Sequence, residues 1–184
     1  PYSHDELTTA KYTRLPEAVV LPANAEEIAK IVKLCNTYAI PVCARGGGTA
    51  FTSASVALMG GIVLLTERLN KILEIDKDNL FMVVEPGVRT AVVQQAANDE
   101  GYLYAGDPCS GDSSFIGGNV ATNAGGNKAV KYGTTRQQVN GVEIVTAEGE
   151  IVTLGGKGRR VPTGYILFTL FLGLEEPWGI VKKF

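Results

Sequence analysis

The chain reads as an α+β domain, and three observations lead to that class. A strand–helix–strand pattern opens it, short apolar strands then cluster between only two or three clear helices, and a β-hairpin pattern stands near the end. A doubly wound fold would alternate strand and helix throughout, and this sequence does not.

The first unit is "EAVVLPANAEEIAKIVKLCNTYAIPVCARGGG". Val19, Val20 and Leu21 form a short apolar strand closed by Pro22. Asn24, with Glu27 three residues on, has the form of a helix cap with its reciprocal partner. Ile28, Ile31, Val32 and Cys35 then recur at i, i+3, i+4 and i+7, which predicts one buried helical face. Pro41 ends the helix. Residues 42–44 open a second strand, which delivers the chain into three consecutive glycines.

Next come three apolar pieces, 62–65, 72–75 and 81–84, with turn chemistry in "DKDN" at 76–79. "RTAVVQQAANDEGY" predicts a helix with Val92, Val93, Ala96 and Ala97 on one face and Gly101 at its C-terminal cap. Residues 106–133 carry few strong strand or helix signals. Loops of that length inside a compact domain are usually functional. "GVEIVTAEGEIVTL" then predicts a hairpin turning at Ala147, Glu148 and Gly149.

Composition narrows the function classes. The 184 residues suffice for a real core. Hydrophobic content of 45%, charged content of 20% and a net charge of −2 fit an ordinary globular domain. They give no basis for broad attraction to nucleic acid or to an anionic membrane. The run at 166–174 is too short to span a bilayer. Three cysteines, Cys35, Cys43 and Cys109, lack C-x-x-C spacing, which argues against a disulfide framework and a zinc site. Reduced thiols in a cytoplasmic setting are the expectation. The polar start carries no secretory signal pattern. The 22 glycines exceed the usual share of ~7%, and they are clustered.

The first cluster is "RGGGT" at 45–49. Bare backbone lets N–H groups converge on a phosphate. A Walker loop is excluded, because no lysine precedes Thr49. A Rossmann fingerprint is excluded, because Phe51 stands where its third glycine belongs. A pyrophosphate cradle of another design and a tightly packed glycine turn both remain open. The second cluster, "AGDPCSGDSSFIGGNVATNAGGNKAVKYG", interleaves Gly117, Gly118, Gly125, Gly126 and Gly133 with Ser114, Asn119, Thr122 and Asn123. Small residues admit a flat ring or a sugar, and amides and hydroxyls supply directed hydrogen bonds. A purely solvated loop fits poorly with Ile116, Val120 and Ala121. Two such loops suggest one elongated polar ligand between two subdomains, and a dinucleotide fits that description.

"RGGGT", "VEPGV", "GDPCS", "IGGNVATNAGGNKAVKYG" and "GVEIVTAEGEIV" follow the order and spacing of a known family. From about residue 10 onward the chain resembles the FAD-binding domain of the vanillyl-alcohol oxidase type flavoproteins. Within them it is most similar to the FAD-linked 2-hydroxy-acid dehydrogenases, the D-lactate dehydrogenases and the FAD subunit of glycolate oxidase. The resemblance implies two α+β subdomains, residues 1–105 and 106–184, with mixed sheets and FAD between them. It implies that the backbone of Arg45, Gly46, Gly47, Gly48 and Thr49 holds the pyrophosphate, with Ala50 following where the family has glycine. Pro86, Gly87, Asp107, Pro108, Ser110, Gly117, Gly118, Asn119, Ala121, Thr122 and Asn123 would continue around the cofactor. Gly126, Tyr132 and Gly133 would close that wall. Backbone from Gly141 to Val145, and at Gly179 and Ile180, would meet the adenosine end.

Some members attach the flavin through a histidine in the first loop. Here that loop has none and His4 is the sole histidine, so non-covalent FAD is expected. The end of the chain departs from the family pattern: Pro177 and Trp178 replace a small Thr-Leu pair. In the resembled enzymes a cap domain follows and supplies the substrate-binding histidines and the base, so no catalytic residue and no metal ligand is assigned within these residues. The implied activity is oxidation of a lactate- or glycolate-type 2-hydroxy acid to a 2-oxo acid. The implied electron-transfer partner is an electron-transferring flavoprotein or an iron–sulfur subunit. Two other readings use the same fold: an FAD-dependent reductase of the enolpyruvyl-sugar type, and a flavin-holding subunit that only relays electrons.

Overall fold

The computed structural model describes residues 2–7, 10–156, 167–174 and 179–183. Strand β1 (Ala18–Val20), helix α1 (Ala25–Thr37) and strand β2 (Val42–Arg45) form the expected opening unit. Asn24 caps α1, its Oδ1 accepting the Glu27 N–H at 2.8 Å. The return bond is displaced by one residue: Glu27 Oε2 accepts the N–H of Ala23, at 2.7 Å, rather than that of Asn24. Strand β3 (Ile62–Leu65) lies between β1 and β2 and is parallel to both. The crossover through α1 therefore skips one strand position.

Strands β4 (Ile72–Asp76) and β5 (Phe81–Val84) pair as an antiparallel hairpin. Its turn is held by Asp76, whose Oδ1 accepts the N–H of Asn79 at 2.9 Å. Helix α2 (Thr90–Asp99) buries Thr90, Val93 and Ala97. Val92 was expected on that face and is instead 48% exposed. The buried stripe starts at Thr90, whose hydroxyl is needed inside, and this turns Val92 outward. Gly101 stands just past the helix with φ +79°, as a C-terminal cap requires.

Residues 106–133 depart furthest from expectation. They contain helix α3 (Ile116–Thr122) and helix α4 (Ala129–Tyr132). Glycine costs about 1 kcal/mol against alanine inside a helix, so Gly117 and Gly118 erase the local signal. Tertiary burial overrides it: Ile116 and Val120, one turn apart, are both fully buried. Helix α5 (Thr135–Gln138) opens with a capping box, Thr134 with Gln137. Strands β6 (Gly141–Thr146), β7 (Ile151–Gly155) and β8 (Gly179–Lys183) form an antiparallel sheet in the order β7-β6-β8. One parallel and two antiparallel sheets thus share the described residues.

Three apolar clusters join these parts. Ala25, Ile28, Ala29 and Val32 of α1 pack with Leu64 and Leu69 on one side and with Val145 and Ile180 on the other. Helix α1 is therefore common to the first and last sheets. Asn36 Nδ2 reinforces the contact by donating to the Ala147 carbonyl at 2.7 Å. Val120 belongs to a second cluster with Val139, Val142, Ile144 and Leu172. Ile116 belongs to a third with Val84, Val88 and Val93. Short α3 thus ties two clusters together. Cys35, Cys43 and Cys109 form no disulfide with one another. Among the described residues no helix is long and apolar enough to cross a membrane.

Because Ile28 is fully buried in the cluster shared by two sheets, Ile28→Ala should lower unfolding free energy by about 2–5 kcal/mol. Urea denaturation should still show a single transition. Asn24→Ala should cost only about 1 kcal/mol by the same measurement.

Candidate functional site

The two glycine-rich segments meet in space. A cleft of about 140 Å³ has Gly46, Gly47, Gly48, Thr49, Ala50, Ala54 and Ser55 on one wall. Ser110, Phe115, Gly118, Asn119, Ala121 and Thr122 form the other. The volume is below the roughly 300–1,000 Å³ of a whole small-molecule pocket. It suits one segment of an elongated ligand.

Missing side chains make this meeting possible. A Cβ on Gly47 would overlap the carbonyl oxygen of Ser113, on the opposite wall. A Cβ on Gly126 would overlap the carbonyl oxygen of Asp107. Packing and ligand binding, the two readings left open for the first loop, are therefore compatible. The glycines bring the walls together and also leave their amides bare. Among the described residues, no acceptor takes the N–H groups of Gly46, Gly47, Gly48 or Thr49. In the first turn of α3, the N–H groups of Ile116 and Gly117 go to the carbonyls of Val88 and Pro86, at 2.9 and 2.8 Å. That of Gly118, which lines the cleft opposite Gly46, has no described acceptor. Unclaimed amides on both walls of a small cleft suit an anion such as a phosphate.

A buried polar network positions the second wall. Asn119 Nδ2 donates to Thr90 Oγ1 at 2.7 Å, and Thr90 Oγ1 lies 2.8 Å from Ser114 Oγ. The Thr90 N–H donates to the Ser114 carbonyl at 3.0 Å. Helix α2 thereby holds the loop that precedes α3. Thr90 carried no signal in the sequence, since its partners are 24 and 29 residues away.

Other expected residues support the cleft rather than line it. Pro86 packs behind Gly117, where a Cβ would come within 2.5 Å of the Pro86 Cβ. Gly87 sits against the carbonyls of Thr66 and Leu69. Asp107 forms an ion pair with Lys128 at 3.2 Å, and Pro108 accepts the N–H of Gly111 at 2.9 Å. Asn123 has φ +50°, and its Oδ1 accepts from Thr134 Oγ1 at 2.8 Å and from the Arg136 N–H at 2.9 Å. That carboxamide oxygen fastens α5. Tyr132 and Gly133 end α4. Lys131 Nζ lies 4.7 Å from the Tyr132 ring centroid, and its pKa is raised by hydrogen bonding to the Tyr132 hydroxyl.

Arg45 is 8% exposed. Its Nη1 donates to the Ser55 carbonyl at 3.0 Å, so its side chain braces the loop from behind. Burial pulls its pKa below the ordinary value, with the charge of Asp5 opposing that shift. The structure does not bring the side chains of Val145 and Ile180 to the cleft, because both are buried against α1. Gly179 pairs with Thr146 at the end of β8. Pro177 and Trp178 lie outside the described residues.

A larger hollow, about 490 Å³, lies between the β4–β5 hairpin and the β6–β7 strands. Of the two glycine-rich segments only Ile116 lines it, and of the expected adenosine end only Gly141, Val142 and Glu143 do. Tyr104 stands at its edge, its pKa pushed up to about 12 by burial. The smaller cleft is the candidate site, because bare amides from two distant segments converge there.

The family described as FAD binding domain matches residues 16–155. The chain is 42% identical over 182 residues to glycolate oxidase subunit GlcD of Bacillus subtilis (strain 168), spanning 99% of this chain and 38% of that protein. It is 40% identical to a D-lactate dehydrogenase of Anaerostipes hadrus, with 99% and 38% covered. It is 39% identical to a D-2-hydroxyglutarate dehydrogenase of Stutzerimonas stutzeri (strain A1501), with 95% and 38% covered. The chain therefore spans under two-fifths of the length of these relatives. A solved structure of an alkyldihydroxyacetonephosphate synthase superposes with a TM-score of 0.75 at 26% identity, covering 90% of this chain and 32% of that one.

Gly47 and Gly118 line the same cleft but differ in what a methyl group would meet. Gly47→Ala collides with Ser113 and should destabilise the fold by about 1–3 kcal/mol. At Gly118 nothing lies within 4 Å, and alanine favours the helix. Gly118→Ala should melt at or above the parent temperature in a thermal scan.

Proposed function

As the chain belongs to the FAD-binding domain family, whose cofactor is FAD, we propose that it is the cofactor-holding part of a flavin-dependent oxidoreductase oxidising a small 2-hydroxy acid to the 2-oxo acid. The observation that carries the cofactor site is the pairing of unclaimed amides at residues 46–49 with that of Gly118 across one cleft. The substrate class is supported by the relatives' names: glycolate, lactate and 2-hydroxyglutarate are all 2-hydroxy acids.

In this reading the pyrophosphate lies between the 46–49 backbone and the first turn of α3. When bound, FAD supplies the electron acceptor for hydride removal from the hydroxyl-bearing carbon. The protein residues bind and orient. Gly118 leaves room beside the phosphates, Ser110 and Thr122 place hydroxyls on the second wall, and Phe115 excludes water at the junction of the loops. Walls drawn from residues 1–105 and from 106–184 support the division into two subdomains with the cofactor between them. Among the described residues no histidine, cysteine or tyrosine lines the cleft, which supports non-covalent binding. Among the described residues no ionisable side chain lines the cleft, and in this reading the group that takes the substrate's hydroxyl proton comes from outside it. An electron-transferring flavoprotein or an iron–sulfur subunit as acceptor, and a cytoplasmic setting with reduced thiols, complete the reading.

Purified protein should show flavin absorbance. Glycolate, D-lactate or D-2-hydroxyglutarate should bleach it anaerobically. Bleaching by NADPH alone would replace the reading with a reductase of the enolpyruvyl-sugar type. Flavin that no donor bleaches directly would leave the electron-relay subunit. Absence of flavin, with no uptake of added FAD, would remove the proposal. Gly118→Ala should weaken FAD at least about tenfold while keeping its fold, because the methyl group enters the cleft.

A further inference from the structure

Residues 2–7 lie against the outer side of the wall that runs from Ala50 to Ser55. The Glu6 N–H donates to the Ala50 carbonyl at 3.1 Å. Asp5 is 5% exposed, and its two carboxylate oxygens are both engaged. Oδ1 accepts the Leu7 N–H at 2.9 Å, and Oδ2 accepts the Ser53 N–H at 2.8 Å. Ser53 is 4% exposed and holds φ at +60°, a conformation that a serine adopts only under restraint. Its hydroxyl has no partner among the described residues, so the side chain does not provide that restraint. Its backbone is held at both ends: the Asp5 carboxylate takes its N–H, and its carbonyl accepts the N–H of Val56 at 3.1 Å. Ala54 and Ser55, the next two residues, line the cleft, and Ser55 also receives the Arg45 guanidinium.

We propose that Asp5 is a positioning residue for the cofactor cleft: its buried carboxylate holds Ser53 in the left-handed conformation and so fixes the wall from Ala50 to Ser55 against which FAD is held. The inference rests on the FAD reading above. It assigns a role in the site to a segment that contributes no atom to the cleft. A charged acceptor on a buried amide is among the stronger hydrogen bonds. Replacing it with a neutral one of the same shape leaves the backbone at Ser53 free to relax.

FAD titration of apoprotein, followed by flavin fluorescence, tests this with three proteins: the parent, Asp5→Asn, and Asp5→Asn combined with Ser53→Gly. Asp5→Asn should raise the FAD dissociation constant at least about tenfold. Glycine at 53 should restore most of that loss, because it takes a positive φ without restraint and removes no side-chain hydrogen bond. An Asp5 that merely anchored residues 2–7 would give the first effect without the rescue. Unchanged affinity in Asp5→Asn, or no rescue by glycine, overturns the proposal and leaves the FAD reading standing. A parent that binds no FAD overturns both, and that result appears before any substitution is made. If Asp5→Asn alone does not fold, the double variant should still fold and bind; its failure to fold also overturns the proposal.

Discussion

The structure depends on a backbone-to-backbone contact that only glycine permits. At Gly47 the first loop touches the Ser113 carbonyl, and at Gly126 the end of the second segment touches the Asp107 carbonyl. Neither position has room for a methyl group. The Gly47 contact draws two segments more than sixty residues apart into one cleft, the Gly126 contact folds the second segment onto itself, and the amides of the first loop stay uncommitted. Opposite them, the Asn119–Thr90–Ser114 network fixes the second wall with side chains whose hydrogen bonds are made inside the protein. Such a network adds rigidity when its members are satisfied and cost when they are not. One wall is thus shaped by missing side chains and the other is positioned by a buried side-chain network.

Much of the fold was legible because its signals are local. The Asn24 cap, the i, i+3, i+4 stripe from Ile28, the Asp76 turn and the hairpin after Gly141 each draw on neighbours within a few residues. Helix α3 was not legible, because its formation depends on Ile116 packing under β5 and α2 while Val120 packs on β6. Its own sequence, Ile-Gly-Gly-Asn-Val-Ala-Thr, argues against a helix. The buried side of α2 was misjudged at Val92 for a related reason. A threonine at the first helical position is ordinarily solvated, and here Thr90 is the hub of the buried network.

The site divides along the same line. The glycine-rich motifs pointed to two segments that meet in one cleft, where residues 46 to 50 face Gly118, Asn119, Ala121 and Thr122. What the motifs could not give is which residues touch the cleft and which stand behind it. Asn123 fastens α5, Pro86 backs Gly117, and Val145 and Ile180 fill the core against α1. Asp5 was invisible, since it belongs to no motif and its partner Ser53 lies 48 residues away.

The electrostatics of the cleft follow from the absence of charge on its walls. Among the described residues no lysine or arginine lines it, yet a pyrophosphate there would carry negative charge. Arg45 resolves the difficulty from behind. Its guanidinium lies so close under Gly48 that a Cβ at that residue would overlap it, and Gly48 holds φ at +71° to pass around it. A positive charge buried just below the loop acts through protein rather than water, where screening is weak. The loop amides then present that field to the ligand without a flexible cation in the cleft. Asp5 lies close enough to oppose the lowering of the Arg45 pKa by burial. The same design suits the proposed role of the cleft, holding a cofactor without selecting a substrate. Backbone amides over a buried charge recognise phosphate in any molecule that fits, whereas discrimination among hydroxy acids needs side chains that contact the acid itself.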